Sequence, residues 1–135
     1  MKHMRKLVVG LGACVFSLGL MATGGTAYAG TNATDYVYHN GTAVGKVSFE
    51  HNGDWFYIHD LVADSHGVAV QYRINDSYAY PIIVNNGGAG SVKAVSMWDK
   101  FPEGAKIYFR ACTTENSVIW DCNGWFSDTD VMAYA

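Results

Sequence analysis

The chain is short of charge and of proline. Only 16% of its 135 residues are charged, two are proline, and half are hydrophobic, which excludes a solvated, disordered polymer. No stretch is cationic enough to track a phosphate backbone, and the formal net charge of −3 argues against nucleic acid as a partner. No window of helical length carries apolar residues at i, i+3, i+4 and i+7, so an amphipathic helix is not expected. The longest apolar run, Leu7 to Met21, is broken by glycines and falls short of the ~20 residues that cross a bilayer. Familiar chemistry is missing as well: there is no Gly-x-Ser-x-Gly elbow and no Asp-x-Asp-x-Asp-Gly calcium loop.

What is present begins with a basic start, Lys2, Arg5 and Lys6, ahead of that apolar run. It ends in Ala27-Tyr28-Ala29, with small residues where a signal peptidase reads. Residues 1–29 are therefore expected to be a secretory signal cut after Ala29. Cleavage removes three bases and no acid, leaving a more acidic chain that anionic membrane surfaces repel. Cys14 departs with the leader. The remaining pair, Cys112 and Cys122, reads as a disulfide closing a short loop, with a stabilisation of roughly 2–3 kcal/mol in the chain-entropy picture.

Residues 30–42 show little periodicity beyond Tyr36, Val37 and Tyr38 and are expected to be a flexible N-terminal arm, or one that ends in a short edge strand, with 43–135 forming a single β domain. Val47 and Phe49 alternate with Lys46, Ser48 and Glu50; His51-Asn52-Gly53-Asp54 then reads as a tight turn. Beyond it Phe56 and Ile58 take one face and Trp55, Tyr57 and His59 the other. Val68 to Ile74, Tyr80 to Val84 with Pro81 marking an edge, Val92 to Trp98, and Ile107 to Ala111 continue the pattern. A hairpin from Cys112 to Cys122 and a closing strand from Trp125 to Tyr134 complete it. Turn signals about every ten residues predict an all-β fold: a small antiparallel β-sandwich, or alternatively a small β-barrel, with one hairpin disulfide lying off the core face.

The candidate ligand-binding residues are Trp55, Tyr57 and His59 on the outward face. Tyr72 joins them although its parity points inward. Thr113, Thr114, Glu115 and Asn116 form a candidate partner loop held by the bridge Cys112–Cys122, whose preorganisation suits insertion into a hydrolase cleft. His59, His66, Asp60 and Asp64 match no metal motif, and they and Asp54, Asp128 and Asp130 read as turn and loop residues; no metal or cofactor is expected. Asp64-Ser65-His66 has a triad's letters, but neighbours in sequence rarely converge as a triad must.

The segment Gly53-Asp54-Trp55-Phe56-Tyr57-Ile58-His59-Asp60, continuing through Ala63-Asp64 to Gly67, resembles the Gly-Asp-x-Phe-x-Val-x-Asp-x-x-Ala-Asp-x-x-Gly segment of small secreted proteins from Streptomyces and related actinobacteria. The likeness extends to the leader and to Arg110-Ala111-Cys112 with Cys122. It implies export but supplies no catalytic residues. His59 stands where those proteins often carry cysteine, which implies that a second bridge is absent. The expectation is a secreted, monomeric, non-enzymatic binding protein for an extracellular carbohydrate or protein. The alternatives are an inhibitor of an extracellular hydrolase, acting through the late hairpin, and a small secreted hydrolase using Asp or Glu with His59 or His66.

Overall fold

The computed structural model describes residues 29–124 and 131–135. The expected leader up to Tyr28, and Trp125, Asp128 and Asp130, lie outside the described residues. Nine strands are described: β1 (Ala33–His39), β2 (Thr42–Glu50), β3 (Trp55–Asp60), β4 (Gly67–Ile74), β5 (Ile82–Asn85), β6 (Val92–Ser96), β7 (Lys106–Glu115), β8 (Val118–Cys122) and β9 (Val131–Tyr134). They form two antiparallel sheets. The first runs β1-β2-β3-β6; the second runs β5-β4-β7-β8, with β9 also paired to β7. The sheets do not close on each other, so the architecture is the sandwich and not the barrel.

Period-two alternation builds the core as expected. Val47, Phe49, Phe56 and Ile58 face inward from the first sheet, and Val68, Val70, Ile107 and Phe109 from the second, all essentially without exposure. Phe56 is the hub. Its ring lies 5.2 Å from Phe49, 5.4 Å from Phe109 and 5.5 Å from Tyr72, with Phe101 edge-on at 6.0 Å. The disulfide joins Cys112 of β7 to Cys122 of β8 across a 4.0 Å Cα separation. As parity required, Cys112 lies opposite Ala69 on the face away from Val68 and Phe109, yet it is fully buried.

The expected loose arm is corrected, while the edge strand allowed at its end is present and longer than expected. Residues 33–39 are not loose but form β1, paired with β2 from Ala33 against Phe49 to His39 against Thr42. The joining turn is Asn40-Gly41, with φ of 49° and 79°, the left-handed pair that a two-residue hairpin loop demands. At the next turn the positive φ values fall on Gly53 and Asp54, one position later than an Asn-Gly reading implies.

Besides the core residue Val37, β1 buries a polar one. On the side of β7 away from β4, β9 pairs with Lys106 to Phe109 and β8 with Cys112 to Glu115. Ala111 lies in the gap between them, where no described strand supplies an acceptor for its N–H. Asp35, inward-facing on β1 and only 5% exposed, fills that role: its Oδ2 accepts the Ala111 N–H at 2.7 Å and its Oδ1 accepts Asn123 Nδ2 at 2.8 Å. The Asn123 N–H in turn donates to the Ala111 carbonyl at 3.0 Å. Asp35→Ala is expected to cost ~1–3 kcal/mol in chemical denaturation, because a buried backbone N–H loses its acceptor. A cost below ~0.5 kcal/mol would show that water takes over the bond.

Candidate functional site

The outer face of the first sheet is assembled by β3 and its two neighbours. Trp55 lies across from Glu50 and Ser96, Tyr57 from Ser48 and Ala94, and His59 from Lys46 and Val92. The second sheet packs on the opposite side, so this row is not covered by it. Trp55 and Tyr57, both half-buried, hold their rings 6.2 Å apart and within 22° of parallel.

The turn before β3 makes room for the indole. Gly53 has φ of 89°, and a Cβ there would come within 2.7 Å of Trp55 Nε1. Ser96 Oγ donates to the Gly53 carbonyl at 2.7 Å, tying the turn to β6. Electrostatics grade the row from one end to the other. Lost hydration and then the Glu50 carboxylate, which accepts its hydrogen bond, hold the Tyr57 hydroxyl above the ordinary phenol range. Burial, followed by the Lys46 ammonium, holds His59 below the ordinary imidazole range, so its neutral form dominates at pH 7.

The face also includes residues that sequence reading assigned to the arm. Tyr36 stands across from Lys46 on β1, and its ring lies 6.2 Å from that of the exposed Tyr38. Tyr36-Val37-Tyr38 allowed a short edge strand here, and the Asn40-Gly41 that follows was the further signal for it.

Tyr72 does not belong to this surface. It is 7% exposed, inside the sandwich against Phe56 and Phe101, because inward parity on β4 prevails. The partner loop is corrected too. Thr113 and Thr114 are buried strand residues of β7 at 3% and 1% exposure, and only Glu115 and Asn116 reach the surface. The hairpin turns in two residues, Asn116 and Ser117 at φ of 50° and 63°, which gives it no protruding loop to enter a cleft. Trp98 is exposed beyond β6, whereas Trp120 belongs to the second sheet and stacks on His66 at 4.3 Å.

Among the carboxylates, Asp60 is inward-facing at the end of β3 and 3% exposed. Asp64 caps its own loop, accepting the His66 N–H at 3.1 Å while its carbonyl meets His66 Nδ1 at 2.8 Å. No Ser65-His66 hydrogen bond of a hydrolytic kind accompanies this arrangement among the described residues.

These features define an antiparallel β-sandwich with an aromatic row on an open sheet face. No protein-family model, curated protein or solved structure matches the chain.

Burial, and secondarily the charge of Asp64, raise the Asp60 carboxyl above its ordinary range against the lowering by the Val62 N–H bond. A folded pKa above the unfolded one means that the native state holds the extra proton. The contribution is present below the unfolded value near 3.8 and is lost as pH rises through the raised value. Wild type is therefore expected to gain stability relative to Asp60→Asn as pH falls from 7 towards 4, measured by urea denaturation at each pH. A constant difference across that range would contradict it.

Proposed function

We propose that this chain is a secreted, non-enzymatic binding protein that takes a carbohydrate on the outer face of its first sheet. The observation that carries the reading is the near-parallel Trp55 and Tyr57 pair, on a face the second sheet leaves uncovered. Aromatic rings offer a broad apolar surface to the C–H faces of a sugar. Glu50, Ser48 and Ser96 stand beside them as hydrogen-bonding groups for its hydroxyls. Tyr36 and Tyr38 extend the row towards the sheet edge, giving room for more than one sugar unit. The cross-strand disulfide suits an oxidising compartment. No helix among the described residues is long and apolar enough to cross a membrane.

Retention on insoluble polysaccharides, with Trp55→Ala beside wild type, tests the reading. Wild type is expected to be held by at least one polysaccharide, and Trp55→Ala to lose ~10-fold or more in affinity, the scale of truncating an aromatic anchor. The variant should unfold within ~1 kcal/mol of wild type, since its ring is only partly buried and lies outside the core. Equal retention of both proteins, or none on any polysaccharide, would reject the carbohydrate face.

A further inference from the structure

Away from the aromatic row, the loop that carries the chain from Asp60 at the end of β3 to Gly67 at the start of β4 borders a cavity of about 450 Å³. Asn86 and the β7–β8 hairpin, through Thr114 and Ser117, close its other side. Among the described residues that line it there is no lysine or arginine, while Asp60 and Asp64 supply two carboxylates.

Two buried oxygens here lack partners. The Asp60 carboxylate is bonded by the Val62 N–H, yet its Oδ1 has no hydrogen bond; Thr114, 1% exposed, has an Oγ1 in the same condition. Native interiors rarely leave such atoms unmatched, and each asks for an explanation. A second observation concerns Gly67. A Cβ there would meet Thr114 Oγ1 at 2.5 Å, Asn86 Oδ1 at 3.0 Å and the Asn85 carbonyl oxygen at 3.1 Å, so three oxygens converge over a position that has no side chain. The Asn86 amide nitrogen is committed elsewhere, donating to Ser117 Oγ at 2.9 Å.

We propose that this cavity binds a calcium ion, with Asp60 and Asp64 as its anionic ligands and Thr114 Oγ1 and Asn86 Oδ1 among its neutral ones. The ligand set decides the class of ion. Carboxylate, hydroxyl, amide and carbonyl oxygens in an irregular arrangement suit calcium, which accepts six to eight oxygens in flexible geometry. Among the described residues no group of three His, Cys, Asp or Glu side chains is placed to hold a metal ion, so neutral oxygens have to supply most of the ligands. Magnesium demands near-octahedral geometry and keeps several of its waters, which an irregular set of protein oxygens suits less well.

Binding would relieve the Asp60–Asp64 repulsion and hold the intervening loop, where Ser65 sits at φ of 63°, against the hairpin. Trp120 would report it. It is the extra residue of a β8 bulge, since Thr113 pairs with Asp121 and Thr114 with Ile119, and its ring lies parallel to that of His66 on the loop.

The proposal is independent of the carbohydrate reading and is tested separately. The purified, oxidised protein is titrated with calcium chloride by calorimetry and thermal unfolding, with magnesium chloride in parallel. One calcium per chain is expected, with a dissociation constant of ~0.1–1 mM as in extracellular calcium modules, and magnesium ~10-fold weaker. Asp60→Asn should bind calcium ~10-fold more weakly or not at all. Asp54→Asn should bind as wild type does, because Asp54, also buried with an unpartnered oxygen, does not line the cavity. Should Asp60→Asn fail to fold, Thr114→Val decides, with a several-fold loss expected. No heat and no change in unfolding midpoint up to about 20 mM calcium would overturn the proposal. So would undiminished binding by Asp60→Asn, or by Thr114→Val if that variant has to decide.

Discussion

One hydrogen-bonded carboxylate links the beginning of the described chain to the middle of its longest strand. β7 is paired with β4 along one side, but on the other its partner changes from β9 to β8, and Ala111 falls between them. A break in a buried ladder leaves a backbone N–H that has to be matched. Asp35 comes across from the other sheet to match it, and Asn123 completes the arrangement from the end of β8. The first strand is thereby part of the sandwich rather than an appendage, and it brings Tyr36 and Tyr38 to the same outer face as Trp55 and Tyr57.

The core and the outer face answer to the same geometry with opposite outcomes. Strand alternation sends Phe56 and Ile58 inward and Trp55, Tyr57 and His59 outward from one six-residue strand. The inward set meets Phe49, Phe109 and Tyr72 in a dry aromatic cluster, where dispersion and loss of water hold the sheets together. The outward set, backed by a rigid sheet, keeps its rings in place without help from a ligand. Such prepositioning reduces the entropy lost when a ligand binds.

The opposite end of the sandwich is built on other terms. Where the sheets separate, polar side chains replace phenylalanines, and Asn85 shows how such groups are normally satisfied: it donates to the Ile58 carbonyl and to Ser91, and accepts the Gly87 N–H. Asp60 and Thr114 are comparably buried but incompletely bonded. That contrast between neighbouring buried polar groups, rather than the number of acids, sets the cavity apart.

Much of this was readable along the chain. Alternation placed Phe49, Phe56, Ile58, Val70, Ile107 and Phe109 inside and Trp55, Tyr57 and His59 outside, and the spacing of Cys112 and Cys122 marked the hairpin bridge, because side-chain parity and turn chemistry are local properties. Tyr72 obeyed its parity over its chemistry. Asn40-Gly41 carried a hairpin signal of the same local kind, but a weakly apolar strand such as β1 shows its worth only in what it pairs with. The partner of Asp35 lies 76 residues away, and the oxygens converging over Gly67 come from two separate segments, Asn85-Asn86 and Thr114. Contacts of that range depend on how the sheets stack and where a ladder changes partner, and neither leaves a periodic trace in the sequence.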